Sequence, residues 1–429
     1  MLSSSWKYVP GNEYCAKVTD GTHDSPKQAE YGKPLITSKH IKGDVIDFDT
    51  AYLISEHDFN EINKRSKVDQ WDVIISMIGA YCGFCFIESN EEIDYAVKNV
   101  GLFKAGSEIS AKWLYYYLNS PIGRAHLDAV KSGSTQPYIA LGALRNLPIL
   151  VPKKDEVKER IVAILDAIDT KIRVNNRINA ELEAMAKTLY DYWFVQFDFP
   201  DDSPQGQGKP YKTSGGKMVY NPALKREIPE GWEDGTLEDL GQIVGGSTPS
   251  TQSPENFTIE GTPWITPNDL SNNQGNKFIS RGGQDVSAEG IKNASLKKYP
   301  AGTVLLSSRA PIGYMAISRN EVTTNQGFKS FIPNTGFSTE FIYYTVKNSL
   351  KAITQYASGS TFKEVSGSTL KTVKVILPSV AMSDAFTEKV KPIFSQQDSI
   401  ERENAELIAL RDWLLPMLMN GQVTVGEAN

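Results

Sequence analysis

Cysteine is scarce in this chain, three residues in 429. That excludes a disulfide framework and makes a reducing cytoplasm the expected compartment. Long apolar runs are missing too. None approaches the roughly 18 residues of a membrane span, and Met1-Leu2-Ser3-Ser4-Ser5-Trp6-Lys7 holds no apolar leader segment, so neither membrane nor secretion is expected. Cys82 and Cys85 form a single CxxC with no second pair and no histidine at ligand spacing. They read as small core hydrophobes on a strand, and no metal is expected. Cofactor loops are absent as well. Gly241 to Thr248 is glycine-rich but lacks the phosphate-binding lysine, and reads as a strand followed by a glycine turn. Asn221-Pro222-Ala223-Leu224 lacks the second proline and the aromatic of an adenine-methylase tetrad. A self-contained methyltransferase is therefore disfavoured, and no catalytic residue is assigned. Excess positive charge is also missing, since the net charge is −6. Non-specific coating of DNA draws its affinity from neutralised phosphates, so it is excluded. The acidity sits mainly in residues 379–429, with four basic against eight acidic side chains. Residues 231–378 hold thirteen basic against twelve acidic, a balance that still allows a basic face.

What is present is a duplication. Ser132-Gly133-Ser134-Thr135 recurs as Ser358-Gly359-Ser360-Thr361, and Ile149-Leu150-Val151-Pro152 recurs as Val375-Ile376-Leu377-Pro378. The offset, 358 less 132 or 378 less 152, is 226 residues. Asn99-Val100-Gly101 pairs with Asn325-Gln326-Gly327, Asp72 to Ser76 with Thr303 to Ser307, Trp113 to Tyr116 with Phe341 to Tyr344, and Asn179 to Leu182 with Asn404 to Leu407. The period is too long for a solenoid. A pseudo-symmetric chain of this kind suits a two-sided target.

The pattern divides the chain into five segments. Residues 1–152 read as a strand-rich globular domain, with strands at Asp72 to Ile78 and Tyr81 to Ile87 and a helix at Lys112 to Leu118 stopped by Pro121. Residues 153–199 carry a three- and four-residue apolar stripe without Gly or Pro, the mark of a long coiled-coil helix. Residues 200–230 are rich in Pro, Gly and Lys and read as a loop or linker. Residues 231–378 repeat the globular domain, and 379–429 repeat the helix, with Phe386, Ile393, Ile400, Leu407 and Leu414 seven apart. Pro392 should kink this helix or mark its start. The stripes predict an antiparallel helix pair with Ile161, Ile168, Leu182 and Leu189 opposite Ile393, Ile400, Leu407 and Leu414, and a globular unit at each end. Asn175 and Asn404 are the polar breaks that fix its register.

The remaining candidates are polar loops at matching places. Ser132, Ser134, Thr135 and Gln136, with Ser360 and Thr361, offer hydroxyls, an amide and free N–H groups to phosphates or base edges. Thr22 and His23 lie in Asp20-Gly21-Thr22-His23-Asp24, a polar loop or a metal turn. Ser308-Arg309 follows a strand and places an arginine where it could fork onto guanine, and Asn325 and Gln326 carry amides suited to adenine. Lys329 and Lys363 are candidate phosphate contacts.

Several motifs, in order, resemble the specificity subunits of type I restriction-modification systems. They are Asp20 to Pro26, Gly32 to Ser38 and Leu189 to Val195 in the first half. The second half adds Ile228 to Trp232, Gly245 to Pro249, Pro263 to Leu270, Thr324 to Phe328 and Leu414 to Gly421. The resemblance implies an α+β fold, with two mixed α/β target-recognition domains separated by two long antiparallel helices. It implies double-stranded DNA with a bipartite site as target. It also implies two modification subunits that methylate adenine with S-adenosylmethionine, and two restriction subunits that use ATP and Mg. The chain itself would hold no cofactor. The competing reading is a coiled-coil scaffold whose globular ends bind protein.

Overall fold

The computed structural model describes residues 5–204, 206–309, 311–334, 336–356 and 364–423. The chain forms two compact units, one of Met1–Ile172 with Glu406–Asn429 and one of Arg173–Ala405. The two long helices, Asp155–Tyr190 and Val380–Met419, each contribute a part to both units.

In the first unit, four strands pair antiparallel in the order Lys17–Asp20, Val100–Lys104, Asp72–Ser76, Cys85–Ile87. The run Val73-Ile74-Ile75 is apolar throughout because this sheet is covered on both faces. Val73 and Ile75 pack with Trp113, Leu114 and Tyr117 of the helix Glu108–Asn119. Ile74 points the other way, to Ile36, Val97 and Val68. A second sheet holds Lys33–Thr37 between Leu53–Ile54, antiparallel, and Ala96–Lys98, parallel. Trp6–Pro10 pairs with Pro148–Pro152 and joins the two ends of the globular part. Pro121 does follow the first helix, but as the first residue of another, Pro121–Val130, capped by Ser120; proline, which lacks an N–H, is tolerated there because a donor at that position has no partner within the helix. Tyr81 to Phe84 is a turn, and only Cys85–Ile87 is strand.

The second unit repeats this frame. Gln242–Gly245, Lys329–Ile332, Val304–Ser308 and Ile312–Ser318 form the same sheet in the same order, extended by Phe278–Ile279. Thr262–Ile265 lies parallel to Thr323–Thr324, and Glu233–Thr236 pairs with Lys374–Leu377. Cys85 lies opposite Ile75 and Met315 opposite Leu306. The cysteine thus occupies the core site that its repeat fills with methionine.

Residues 200–230 are more than a linker. They make two β-hairpins, Pro200–Asp201 with Lys209–Pro210 and Met218–Asn221 with Arg226–Pro229. Phe199 stacks between Tyr211 and Trp232, with centroid distances of 4.7 and 5.1 Å, which supplies the apolar burial such short hairpins need.

Helix pairing is antiparallel within each unit. In the first, Asp169 accepts from Arg411 Nη1 at 3.1 Å and from Tyr116 at 2.9 Å, and Ile161, Val162 and Leu165 share a core with Leu415 and Leu418. In the second, Asn175 meets Asn404, Gln397 meets Asn179 and Glu183, and Tyr190 packs on Phe386. Ile161, Ile168, Asn175, Ile400 and Asn404 are buried as expected, whereas Leu182, Leu189, Ile393, Leu407 and Leu414 are only half-buried. The fully buried line on the second helix is Phe386, Val390, Phe394, Gln397, Glu401 and Asn404. It shares Phe386 with the seven-residue series and then runs beside it, because Gln397 and Glu401 turn inward to bind the loop at Lys277. The helix starts at Val380 and runs through Pro392, so that proline does not mark its start.

Candidate nucleic-acid interface

In both units the segment after the first sheet strand crosses the turn that enters the strand at Val100 or its equivalent, Phe328. Gly21 makes the crossing in the first unit and Gly246 in the second. A Cβ on either would collide with the carbonyl oxygen of Val97 or Thr324, so only glycine permits this approach. Immediately after it, Thr22 N donates to Val97 O and Ser247 N donates to Thr324 O, both at 3.0 Å.

The construction brings two side-chain pairs together. His23 Nδ1 lies 3.1 Å from Asn99 Oδ1, and Thr248 Oγ1 donates to Gln326 Oε1. Each pair stands two residues past the glycine and two past the accepting carbonyl. Asn99 thus matches Gln326, although a constant offset set it over Asn325. The reason is that two residues separate Val97 from Val100 while three separate Thr324 from Phe328. Asp20 accepts from Arg65 at 2.9 Å and lies 3.0 Å from His23 Nε2, which orients the ring. Asp20 is therefore already engaged. Among the described residues, no group of three or more His, Cys, Asp or Glu side chains is placed to hold a metal ion.

Ser38, which the sequence reading did not single out, pins the first site. Its buried hydroxyl donates to Asn99 O at 2.6 Å and accepts from Met77 N and Ile78 N at 3.1 and 3.3 Å. Ile78 in turn bridges to Tyr138, and Gly79 N donates to Pro137 O at 2.9 Å. The exposed loop carrying Ser132, Ser134, Thr135 and Gln136 is closed by paired hydrogen bonds between Ser132 and Tyr138. His23, Asn99 and this loop thus belong to one connected neighbourhood. In the second unit Arg309 bridges to Glu364 as Ile78 does to Tyr138. The Arg309 and Lys329 cations converge on the Glu364 carboxylate at 4.0 and 3.9 Å. Burial holds the pKa of Lys329 below its ordinary value, with Glu364 opposing and Arg309 adding to the effect.

Three expectations change here. Ser308 and Thr22 are buried; the Thr22 hydroxyl accepts from Asp24 N at 3.1 Å and serves the loop, not its surface. Asn325 spends its Oδ1 on Gly327 N at 2.8 Å, stabilising the longer turn. Ser360, Thr361 and Lys363 lie outside the described residues. Thr248 went unnoticed because a lone threonine after a glycine turn carries no signal until its partner is known.

Residues 5–184 and 229–408 each match the family model described as the type I restriction modification DNA specificity domain. The chain belongs to this family. The specificity chain is 40% identical over 202 residues to the type I restriction enzyme MjaIX specificity subunit of Methanocaldococcus jannaschii, covering 44% of this chain and 45% of that subunit. It thus spans less than half of that relative's length in the match. With the HindI specificity subunit of Haemophilus influenzae it shares 28% identity over 340 residues, 69% of this chain and 73% of the relative. The fold is that of the type I restriction-modification S subunit from M. genitalium, at a TM-score of 0.58, 15% identity and 96% coverage of both chains. The specificity chain is accordingly an α+β protein with two copies of a DNA specificity domain. Among its described residues, no helix is long and apolar enough to cross a membrane.

Proposed function

We propose that each specificity domain reads one half of a bipartite DNA site, that the helix pair sets the unread spacer, and that the chain directs adenine methylation by partner subunits without catalysing it. The carrying observation is the repeated crossing at Gly21 and Gly246, which presents different side chains on one frame. A shared frame with changed contacts is what modular readout requires, because phosphate contacts position while base contacts specify. In this reading two modification subunits bring S-adenosylmethionine and the pocket for the flipped adenine, and two restriction subunits bring ATP and Mg. Met185 and Leu410, six residues past Asn179 and Asn404, are both exposed, which suits two copies of one partner.

The test is to exchange residues 1–152 for those of another family member and map methylated adenines in the presence of the modification subunit. One half-site should change and the other should stay. A change in both would end the modular reading. Failure of the chain with its modification subunit to retard any duplex would favour the protein-binding scaffold.

A further inference from the structure

The two side-chain pairs stand at matching places in the crossing and differ in chemistry. Thr22, Thr324 and Ser308 around them are buried, whereas the His23 side chain is 65% exposed and Thr248 and Gln326 are exposed. Asn99 and Gln326 each offer a carboxamide, which matches the acceptor and donor on the major-groove edge of adenine, and hydroxyl groups such as that of Thr248 pair with either kind of partner. Each amide is already held by its neighbour in the free protein. That reduces the ordering cost on binding.

We propose that His23 with Asn99, and Thr248 with Gln326, are the specificity-determining pairs of the two half-sites. This rests on the half-site reading above and gives it four named side chains. Asp20 and Arg65 act as positioning residues for the first pair, since Arg65 holds the carboxylate that orients His23. The second pair has the Lys329 ammonium in its neighbourhood, where the first unit has Gly101. The second half-site should therefore draw more of its affinity from phosphates.

The experiment uses the full chain with its modification subunit, labelled S-adenosylmethionine and a randomised duplex library. His23→Ala, Thr248→Val and Gln326→Ala remove one partner each. Asn99 has φ +56°, so Asn99→Gly removes its side chain while keeping a backbone that alanine would strain. Discrimination should fall roughly tenfold to hundredfold at one or two base pairs of the half-site read by the altered unit, with the other half-site unchanged. The combined exchange of Thr248→His with Gln326→Asn, at positions free of positive φ, keeps a polar pair in place and should alter the preferred base instead of abolishing methylation. Variants that melt like the wild type yet lose methylation uniformly over all sequences would overturn the assignment in favour of backbone contacts. An unchanged preference would overturn it as well. Should a whole-unit exchange move the half-site while these variants do not, only the pair assignment falls. Should the whole-unit exchange move nothing, the half-site reading itself fails.

Discussion

Asn175 Nδ2 donates to Asn404 Oδ1 at 2.9 Å across the helix pair. Asn404 Nδ2 donates in turn to Asn176 Oδ1 at 2.8 Å, and Asn175 also reaches Glu403 at 2.8 Å. Both Asn175 and Asn404 are buried. A buried amide pair of this kind is satisfied in one register only, because sliding either helix by a turn leaves donors without acceptors.

Asn404→Ala should therefore cost about 1–3 kcal/mol, the usual cost of stranding a buried polar group. Replacing both residues by leucine should recover most of that loss while weakening the preference for a single register. Urea melts of Asn175→Leu, Asn404→Leu and the double variant form the check. Additive losses in that cycle would show that the two amides do not act as a pair.

Much of this fold was legible because its periodicities are strong. Val73-Ile74-Ile75 needed only its apolar run, and the stripes containing Asn175 and Asn404 revealed both helices and their polar breaks. The rest depended on long-range contacts. Trp6–Pro10 pairs with Pro148–Pro152, yet its proline and lysine disguise a strand. The hairpins after Phe199 are held by a stack with Trp232, which local composition hides behind glycines and prolines. Lys277 carries no local signal, because the Glu183 carboxylate and the Gln397 amide that hold it come from helices distant in sequence. At the interface, one additional residue before Phe328 was enough to misalign Asn99 with Asn325.

Lys277 supplies the pH-dependent prediction. Its ammonium lies 2.7 Å from Glu183, 2.6 Å from Gln397 and 3.0 Å from Tyr344, and 3.6 Å from the Phe394 ring centre. Burial pushes its pKa from 10.5 down to about 8, against the pull of Glu183. Between pH 8 and 10.5 the unfolded chain keeps a proton that the folded chain has released, so this group makes stability rise with pH across that window. The unfolding free energy of the wild type, measured relative to Lys277→Met, should climb by up to roughly 3 kcal/mol between those limits. Denaturant titrations at pH 7.5 and 10 read it directly, and a constant difference would mean that the ammonium is not titrating in a buried site.

The second unit's cations should separate into two roles. Arg309 lies on the strand edge facing Glu364, and we expect Arg309→Ala to relax one position of the second half-site by ~1–3 kcal/mol. Lys329→Ala should instead weaken all duplexes alike and reduce the salt slope by about one. Dissociation constants for target and scrambled duplexes over a salt series, with the modification subunit present, distinguish them. Equal losses on both duplexes for Arg309→Ala would reassign it to phosphate.

The antiparallel register dictates how the spacer should be tested. Residue 175 faces 404 and Gln397 meets Glu183, so lengthening one helix alone would draw these partners apart and should abolish activity. Four residues added after Ile172 together with four after Ala405 keep the pairs on either side matched. The added rise is ~6 Å, and at about 3.4 Å per base-pair step that corresponds to one or two base pairs. Four residues also rotate the helix only ~40° beyond a full turn at 3.6 residues per turn, so each reading face keeps nearly its original direction. Mapping of methylated adenines should show them one or two base pairs further apart, with both half-site sequences unchanged. An active double insertion with the original spacing would show that the helices do not measure the distance, and the spacer would then have to be set by the partner subunits.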